Sequence, residues 1–475
     1  MVGSFVNYII LQVSFAVSYD LYYLWRHFAE LLIFKRLKMK KIFVVLLVFS
    51  NTLYAKEAKP SYESMIQPAI FSITMVMIHD VVSPPVAARY YAYCMAGAYD
   101  IVAHNDASIC SPAKLIPSYT PVKITSAKYD YRIAAVYCIY ETGRLMLPSG
   151  FRLTDDEAKF IAQLRKDKVP QRLIDASITV GKNVAVHVIE WSKGDSYNKL
   201  SGMLHYTPLK GEGKWYPTPP TYITAVEPNW KRIRLMIIDS ATQFKPVPPI
   251  TFSKDSGTEF YAQAKEVYDV SKNLSKEQEN IALFWDCNPF AVNTEGHMMI
   301  GYKKITPGGH WMNIAGIGAT KAHLNFNQYI EVQAFVSLTL MDAFIRSWDE
   351  KYRSNQIRPV TYINRYMDAK WMPILQTPPF PEYPSAHSVI SAAAASVLDY
   401  MFGKDFAFTD NSEELFGLKS RDFTSFMQAA KEAGISRLYG GIHFREGVEN
   451  GIKEGVNLGN FVVEKLVKEG VKPFR

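Results

Sequence analysis

Apolar residues recur at helical spacing through most of this chain, and sustained alternation of apolar and polar residues is nearly absent. That pattern excludes a sandwich or barrel and predicts an all-α fold, helical bundles with few or no strands. Met65, Ile70, Ile73 and Met77, then Ala88, Tyr91, Met95 and Tyr99, predict two packed helices split by Ser83-Pro84-Pro85. The same spacing predicts helices over 127–146, 155–165, 171–191, 257–271 and 275–284, a weaker one over 310–317 and a strong one over 325–349. On the last, Phe335, Leu338, Met341, Ile345 and Trp348 form one stripe that brings Lys351 to the helix end or just past it. A helix from Ser385 to Met401 carries four consecutive alanines, Ala392 to Ala395, and the final helix carries Gly447, Gly451, Gly455 and Gly459. Glycine costs about 1 kcal/mol within a helix, so four on one stripe predict close approach to another backbone. Between 193 and 254 the chain turns to Gly, Pro and aromatics, which predicts a long ordered excursion over the helices.

The 475 residues hold two or three average domains or one large helical core. With 48% hydrophobic and 21% charged residues the composition is that of a globular protein, not a disordered or multi-span one. The net charge is +8, and half of that surplus lies in residues 1–55, where six Lys/Arg stand against two Asp/Glu. The remainder is no nucleic-acid footprint, and no basic block with interleaved aromatics occurs. Cys94, Cys110, Cys138 and Cys287 form no zinc or CxxC pattern and read as buried apolar residues, with any disulfide pairing left open. His297, His310 and His323 read as structural, and His79-Asp80 as a local hydrogen-bonded pair.

Met39-Lys40-Lys41, the apolar run from Ile42 to Phe49 and the stretch from Ser50 to Ala55 have the three parts of a secretory signal. We expect 39–55 to be that signal, 1–38 to be an upstream extension from start assignment, and 56–475 to be a single large helical domain with its active half at about 325–470. Export to the periplasm or beyond follows as an expectation, with no stable membrane span in the mature chain.

Three cationic side chains, two histidines and a serine fall in fixed order near the C-terminus: Lys351-x6-Arg358-Pro359, Pro384-Ser385-Ala386-His387 and Ser436-Arg437-x5-His443. Three permanent positive charges gathered together call for an anion with several oxygens. Ser385 has the signature of an N-cap, which would turn the following amides outward as anion donors. This layout resembles the superfamily uniting vanadium-dependent haloperoxidases with type 2 phosphatidic acid phosphatases, whose three blocks are K-x6-RP, PSGH and SR-x5-H. Trp348, three residues before Lys351, and Phe380, seven before His387, resemble the haloperoxidase branch, as do the runs Trp215 to Pro220 and Phe284 to Pro289.

The resemblance implies that vanadate is held by Lys351, Arg358, Ser385, Arg437 and the amide of Ala386, with His443 as the apical metal ligand. It further implies that His387 is the acid–base group assisted by Lys351, and that Trp348 and Phe380 wall a halide pocket. Ala386 replaces the glycine of PSGH, which keeps the amide. Four residues beyond His443 the family commonly has an acidic residue to orient the histidine, whereas Gly447 stands here; Glu446, Asp286 or a backbone carbonyl are the candidates to replace it. The implied reaction is oxidation of a halide, iodide or bromide, by hydrogen peroxide. Two other readings stand beside it: a soluble acid phosphatase with His443 as nucleophile through a phosphohistidine, and a non-catalytic oxyanion-binding protein.

Overall fold

The computed structural model describes residues 61–125, 128–295 and 297–474. The expected upstream extension and signal segment lie outside these residues. The first helices are α1 (Ile66–His79) and α2 (Pro84–Asn105). They break where the prolines stand: Ser83 is extended and the prolines open α2, where their missing N–H groups have no helical partner to lose. Next come α3 (Tyr131–Met146), α4 (Leu153–Lys166) and α5 (Gln171–Ser192). The Gly/Pro-rich stretch that follows contains only short 3-10 turns until α6 (Glu259–Lys272) and α7 (Lys276–Phe284), the latter opened by a capping box on Ser275 and Gln278.

The chain continues through α8 (Pro307–Lys321) and α9 (Phe326–Ser354) to α10 (Pro359–Tyr366), α11 (Ala386–Phe402), α12 (Phe426–Tyr439) and α13 (Arg445–Lys468). Two small antiparallel pairs interrupt the helices. One joins β1 (Val292–Glu295) to β2 (Met298–Gly301), the other β3 (Phe408–Asp410) to β4 (Arg421–Phe423). The fold is thus all-α with few strands. α8 is longer than the sequence predicts, because its glycines at 308, 309, 316 and 318 hide a helix whose buried residues include Trp311, Met312 and Ile314.

α9 is the central element, buried on every side from Ile330 to Lys351. A helix in that position must satisfy its polar side chains internally. Asp342 accepts the backbone N–H groups of Met236, Ile237 and Ile238 at 2.7, 2.7 and 2.9 Å, fastening the 193–254 excursion to α9. The same excursion reaches the C-terminal end of α9, where Trp348 Nε1 and Tyr352 Oη both donate to Val226 O. Arg346 pairs with Glu454 of α13, Nε to Oε1 at 3.3 Å.

The glycine stripe of α13 lies on α11. A Cβ at Gly451 would stand 2.9 Å from Ser385 O, one at Gly459 2.7 Å from Ala393 O, and one at Gly455 would overlap Val389 O. The close approach expected from the stripe is therefore real, and it sets α13 directly against the first turn of α11.

Candidate active site

Each block of the motif sits at a helix end. Lys351 lies inside the last turn of α9, not past it, and Asn355 closes that helix in the left-handed conformation (φ 54°). Arg358 is the residue before Pro359, the first residue of α10. Ser385 caps α11, its Oγ accepting Ser388 N–H at 3.3 Å, so Ala386 and His387 open the helix. Arg437 is in the last turn of α12. Gly440-Gly441 then turns the chain, Gly441 with φ +75° and a hypothetical Cβ 2.9 Å from Pro373, and delivers His443 just ahead of α13.

These residues converge in the interior. Lys351, Arg358, Ser385, Arg437, His387 and His443 are all at most 8% exposed. The Lys351 Nζ and the Arg358 guanidinium each lie 5.1 Å from the centre of the Phe380 ring. Trp348 packs on that ring at 4.9 Å, so the expected halide wall lies against Lys351 and Arg358. Arg358 Nη1 reaches His443 Nε2 at 3.0 Å. His387, Arg437, His443, Ala386, Trp348 and Phe380 line one cavity.

The three cations are differently employed. The ammonium of Lys351 donates to Pro381 O, Glu382 O and Pro384 O at 3.0, 3.0 and 2.5 Å, one carbonyl for each of its three protons. It therefore shapes the 381–384 turn as well as supplying charge. Arg358 donates to Phe380 O and Ile442 O. Arg437 donates to Trp285 O at 2.7 Å and to Ser436 Oγ at 2.9 Å.

His443 is oriented by a residue the sequence reading did not name. Its Nδ1 lies 2.6 Å from Glu382 Oε1, which also accepts the N–H of Phe444 at 3.1 Å. With Nδ1–H donated to a carboxylate, the lone pair of Nε2 is left to face Arg358, the tautomer assigned from this hydrogen-bond network. A Cβ at Gly447 would overlap Glu382 Oε1. The carboxylate thus occupies the space of the missing side chain at 447. Glu446 is engaged elsewhere, accepting Ile250 N–H, and Asp286 pairs with Lys304. The available signal was the pairing of an acid between Phe380 and Ser385 with a glycine where an acid is customary.

Burial, then Arg358, then Lys351 hold the His443 imidazole well below its ordinary pKa, and burial followed by Arg437 does the same to His387. Burial pushes Lys351 well below its usual value, with Arg358 adding to it, and brings Arg358 down to about 10. Burial also raises Glu382 to about 7, against the pull of Arg358. The pocket thus concentrates positive charge in a low-dielectric setting, where a multiply charged oxyanion is the complement.

Two buried atoms test that fit. Arg358 Nη2 and His387 Nε2 have no hydrogen-bond partner among the described residues. Both atoms belong to residues of the motif, and each is free to pair with an oxyanion or its substrate. The donor set, guanidinium N–H groups, helix-opening amides and an imidazole with its lone pair directed inward, suits vanadate.

Other expectations resolve simply. His79 Nδ1 and Asp80 Oδ1 are 2.9 Å apart, and all four cysteines are free and buried. His310 meets Cys287, Asp410 and Glu413. Among the described residues no helix is long and apolar enough to cross a membrane.

Residues 331–469 match the family profile described as the VCPO second helical-bundle domain. The crystal structure of the first bacterial vanadium-dependent iodoperoxidase is 43% identical, covering 85% of this chain and 96% of that one, with a TM-score of 0.79. Holo- and apo-type bacterial vanadium-dependent chloroperoxidases, at 14% and 16% identity, share the fold with TM-scores of 0.59 and 0.61. The first covers 82% of this chain and 93% of its own, the second 82% and 94%. A search of curated proteins gave no match. On the strength of the 43% identity across nearly the whole of its relative, the chain belongs to the vanadium-dependent haloperoxidases.

Proposed function

We propose that the protein oxidises a halide, iodide in preference to bromide, with hydrogen peroxide at bound vanadate. The observation that carries this reading is that Arg437, His387 and His443 line one cavity with Trp348 and Phe380, while Lys351 and Arg358 close on the Phe380 ring and Arg358 reaches His443. The iodoperoxidase relative supports the choice of halide. So does the chemistry: iodide is easier to oxidise than bromide, and a pocket edged by two aromatic rings suits a large polarisable ion.

When bound, vanadate supplies a Lewis-acid centre that activates peroxide without changing oxidation state. The chain's residues do the rest. Arg358, Arg437 and Lys351 balance the negative charge, whose burial unpaired would be prohibitive. The Ala386 amide and Ser385 at the start of α11 add donors. His443, its tautomer fixed by Glu382, offers Nε2 as the metal ligand. Burial and Arg437 disfavour the charged form of His387, so its unpartnered Nε2 would hold and pass on a proton for the peroxide chemistry.

The test is to strip the protein with chelator, restore orthovanadate or add phosphate, and assay iodide oxidation beside para-nitrophenyl phosphate cleavage. Vanadate-dependent iodide oxidation is expected. Ester turnover without vanadate would favour the phosphatase reading, and neither activity the non-catalytic one. We also infer export to the periplasm or medium from the signal-like segment at 39–55. The intact mass of the native protein should begin near residue 56, and a mature terminus upstream of Met39 would refute it.

A further inference from the structure

We propose that Cys287, His310 and Glu413 form a second metal site, adjoining the candidate vanadate pocket whose wall Cys287 shares, for a divalent cation of the zinc class. Three segments far apart in sequence bring one donor each: the coil after α7, helix α8 and the turn after β3. Cys287 Sγ lies 3.4 Å from His310 Nδ1, His310 Nδ1 lies 3.3 Å from Glu413 Oε1, and Glu413 Oε1 lies 4.0 Å from Cys287 Sγ. Zinc bonds of about 2.3 Å to sulfur, 2.0–2.1 Å to nitrogen and 2.0–2.2 Å to oxygen give a tetrahedron with edges of roughly 3.3–3.6 Å. Two edges of the observed triangle fall at those lengths and the third needs only a small closure. All three residues are buried, His310 completely.

The environment supports an ion over a hydrogen-bonded cluster. His310 Nε2 is held by Asp410 Oδ2 at 2.7 Å, the carboxylate that commonly orients a metal-binding imidazole through its other nitrogen. That leaves Nδ1 to face two groups at once, a thiol and a carboxylate. A single N–H cannot serve both well, whereas a cation bonds to all three. Deprotonated Cys287 and Glu413 together neutralise a divalent charge, and a soft thiolate beside imidazole and carboxylate selects zinc-like ions over calcium or magnesium.

The position gives the ion a structural role in the active site. The His310 ring stacks on Trp285 at 4.6 Å and 22°. Trp285 in turn meets the His387 ring edge-on at 6.2 Å, and its carbonyl accepts from Arg437. A metal here would lock the wall on which His387 and Arg437 rest. It would also hold the Cys287 sulfur as a ligand in a cavity exposed to peroxide.

The experiment is elemental analysis of the full-length protein purified without chelator, followed by chelator treatment and reloading with Co2+. We expect about one zinc-class ion per chain. The cobalt form should show the thiolate charge-transfer band of a tetrahedral site. Cys287→Ser should lose that band while keeping the helical circular dichroism. Asp410→Asn should weaken the ion's affinity about 10- to 100-fold. If Cys287→Ser does not fold, Glu413→Gln and the wild-type metal content decide instead. Wild-type protein free of divalent ions, with no cobalt band after reloading, would show a hydrogen-bonded cluster and overturn the proposal.

Discussion

Glu382 and Gly447 share one space: the carboxylate of the first, bonded to His443 Nδ1, lies where any side chain on the second would have to go. The acidic partner of His443 comes from the segment before α11 and not from α13, and the glycine leaves room for it. Glu382→Gln should weaken vanadate binding about 10- to 100-fold, since partners behind a metal ligand carry effects of that size. Gly447→Asp alone should also impair binding by crowding Glu382, and combining it with Glu382→Ala should recover part of the loss. Titration of the three variants with orthovanadate measures this, and full affinity in Glu382→Gln would remove the residue from its role.

The same carboxyl makes stability depend on pH. Its pKa rises on folding from an ordinary 4.5 to about 7, mainly through burial. Between those values the folded state binds more protons than the unfolded one, so this group's contribution is full below about 4.5 and is lost as pH climbs through 7. For vanadate-free protein, the advantage of wild type over Glu382→Gln in melting temperature should therefore shrink from pH 5 to pH 7.5. An advantage that grows with pH would mean that Glu382 is ionised throughout.

How much of this was readable in the sequence follows from how local each feature is. The helices were legible because periodicity at three and four residues is a short-range signal, and the cap at Ser385 because a serine before an apolar helix is one too. α8 was underestimated because its glycines suppress the propensity that its burial overrides. Glu382 and His443 are 61 residues apart, and Cys287 and Glu413 126 apart, so neither pairing leaves a local trace. The joint spacing of Lys351, Arg358, His387, Arg437 and His443 was informative because five separate positions had to agree.

Helix α13 approaches α11 without room for a methyl group at Gly455, where a Cβ would overlap Val389 O. The obstacle is backbone, which cannot rotate away, so the helices must separate. Gly455→Ala should destabilise the protein by about 1–3 kcal/mol despite alanine's better helix propensity, the range expected for overpacking. Denaturant melts give the number. An alanine variant as stable as wild type would mean that the α11–α13 contact is looser than described.

The two imidazoles should separate binding from turnover. His443 faces Arg358 through Nε2 and is held from behind by Glu382, the arrangement of a ligand. His387 stands at the start of α11 with its Nε2 unpartnered among the described residues and its basicity reduced by burial and Arg437, the arrangement of a proton carrier. His443→Ala should therefore lose both vanadate affinity and iodide oxidation. His387→Ala should keep most of its vanadate affinity and lose about 10²- to 10⁴-fold in turnover, the usual contribution of a positioned acid–base group. Binding isotherms run beside steady-state iodide assays distinguish the two, and equal loss of affinity in both variants would mean that His387 holds the oxyanion instead of moving protons.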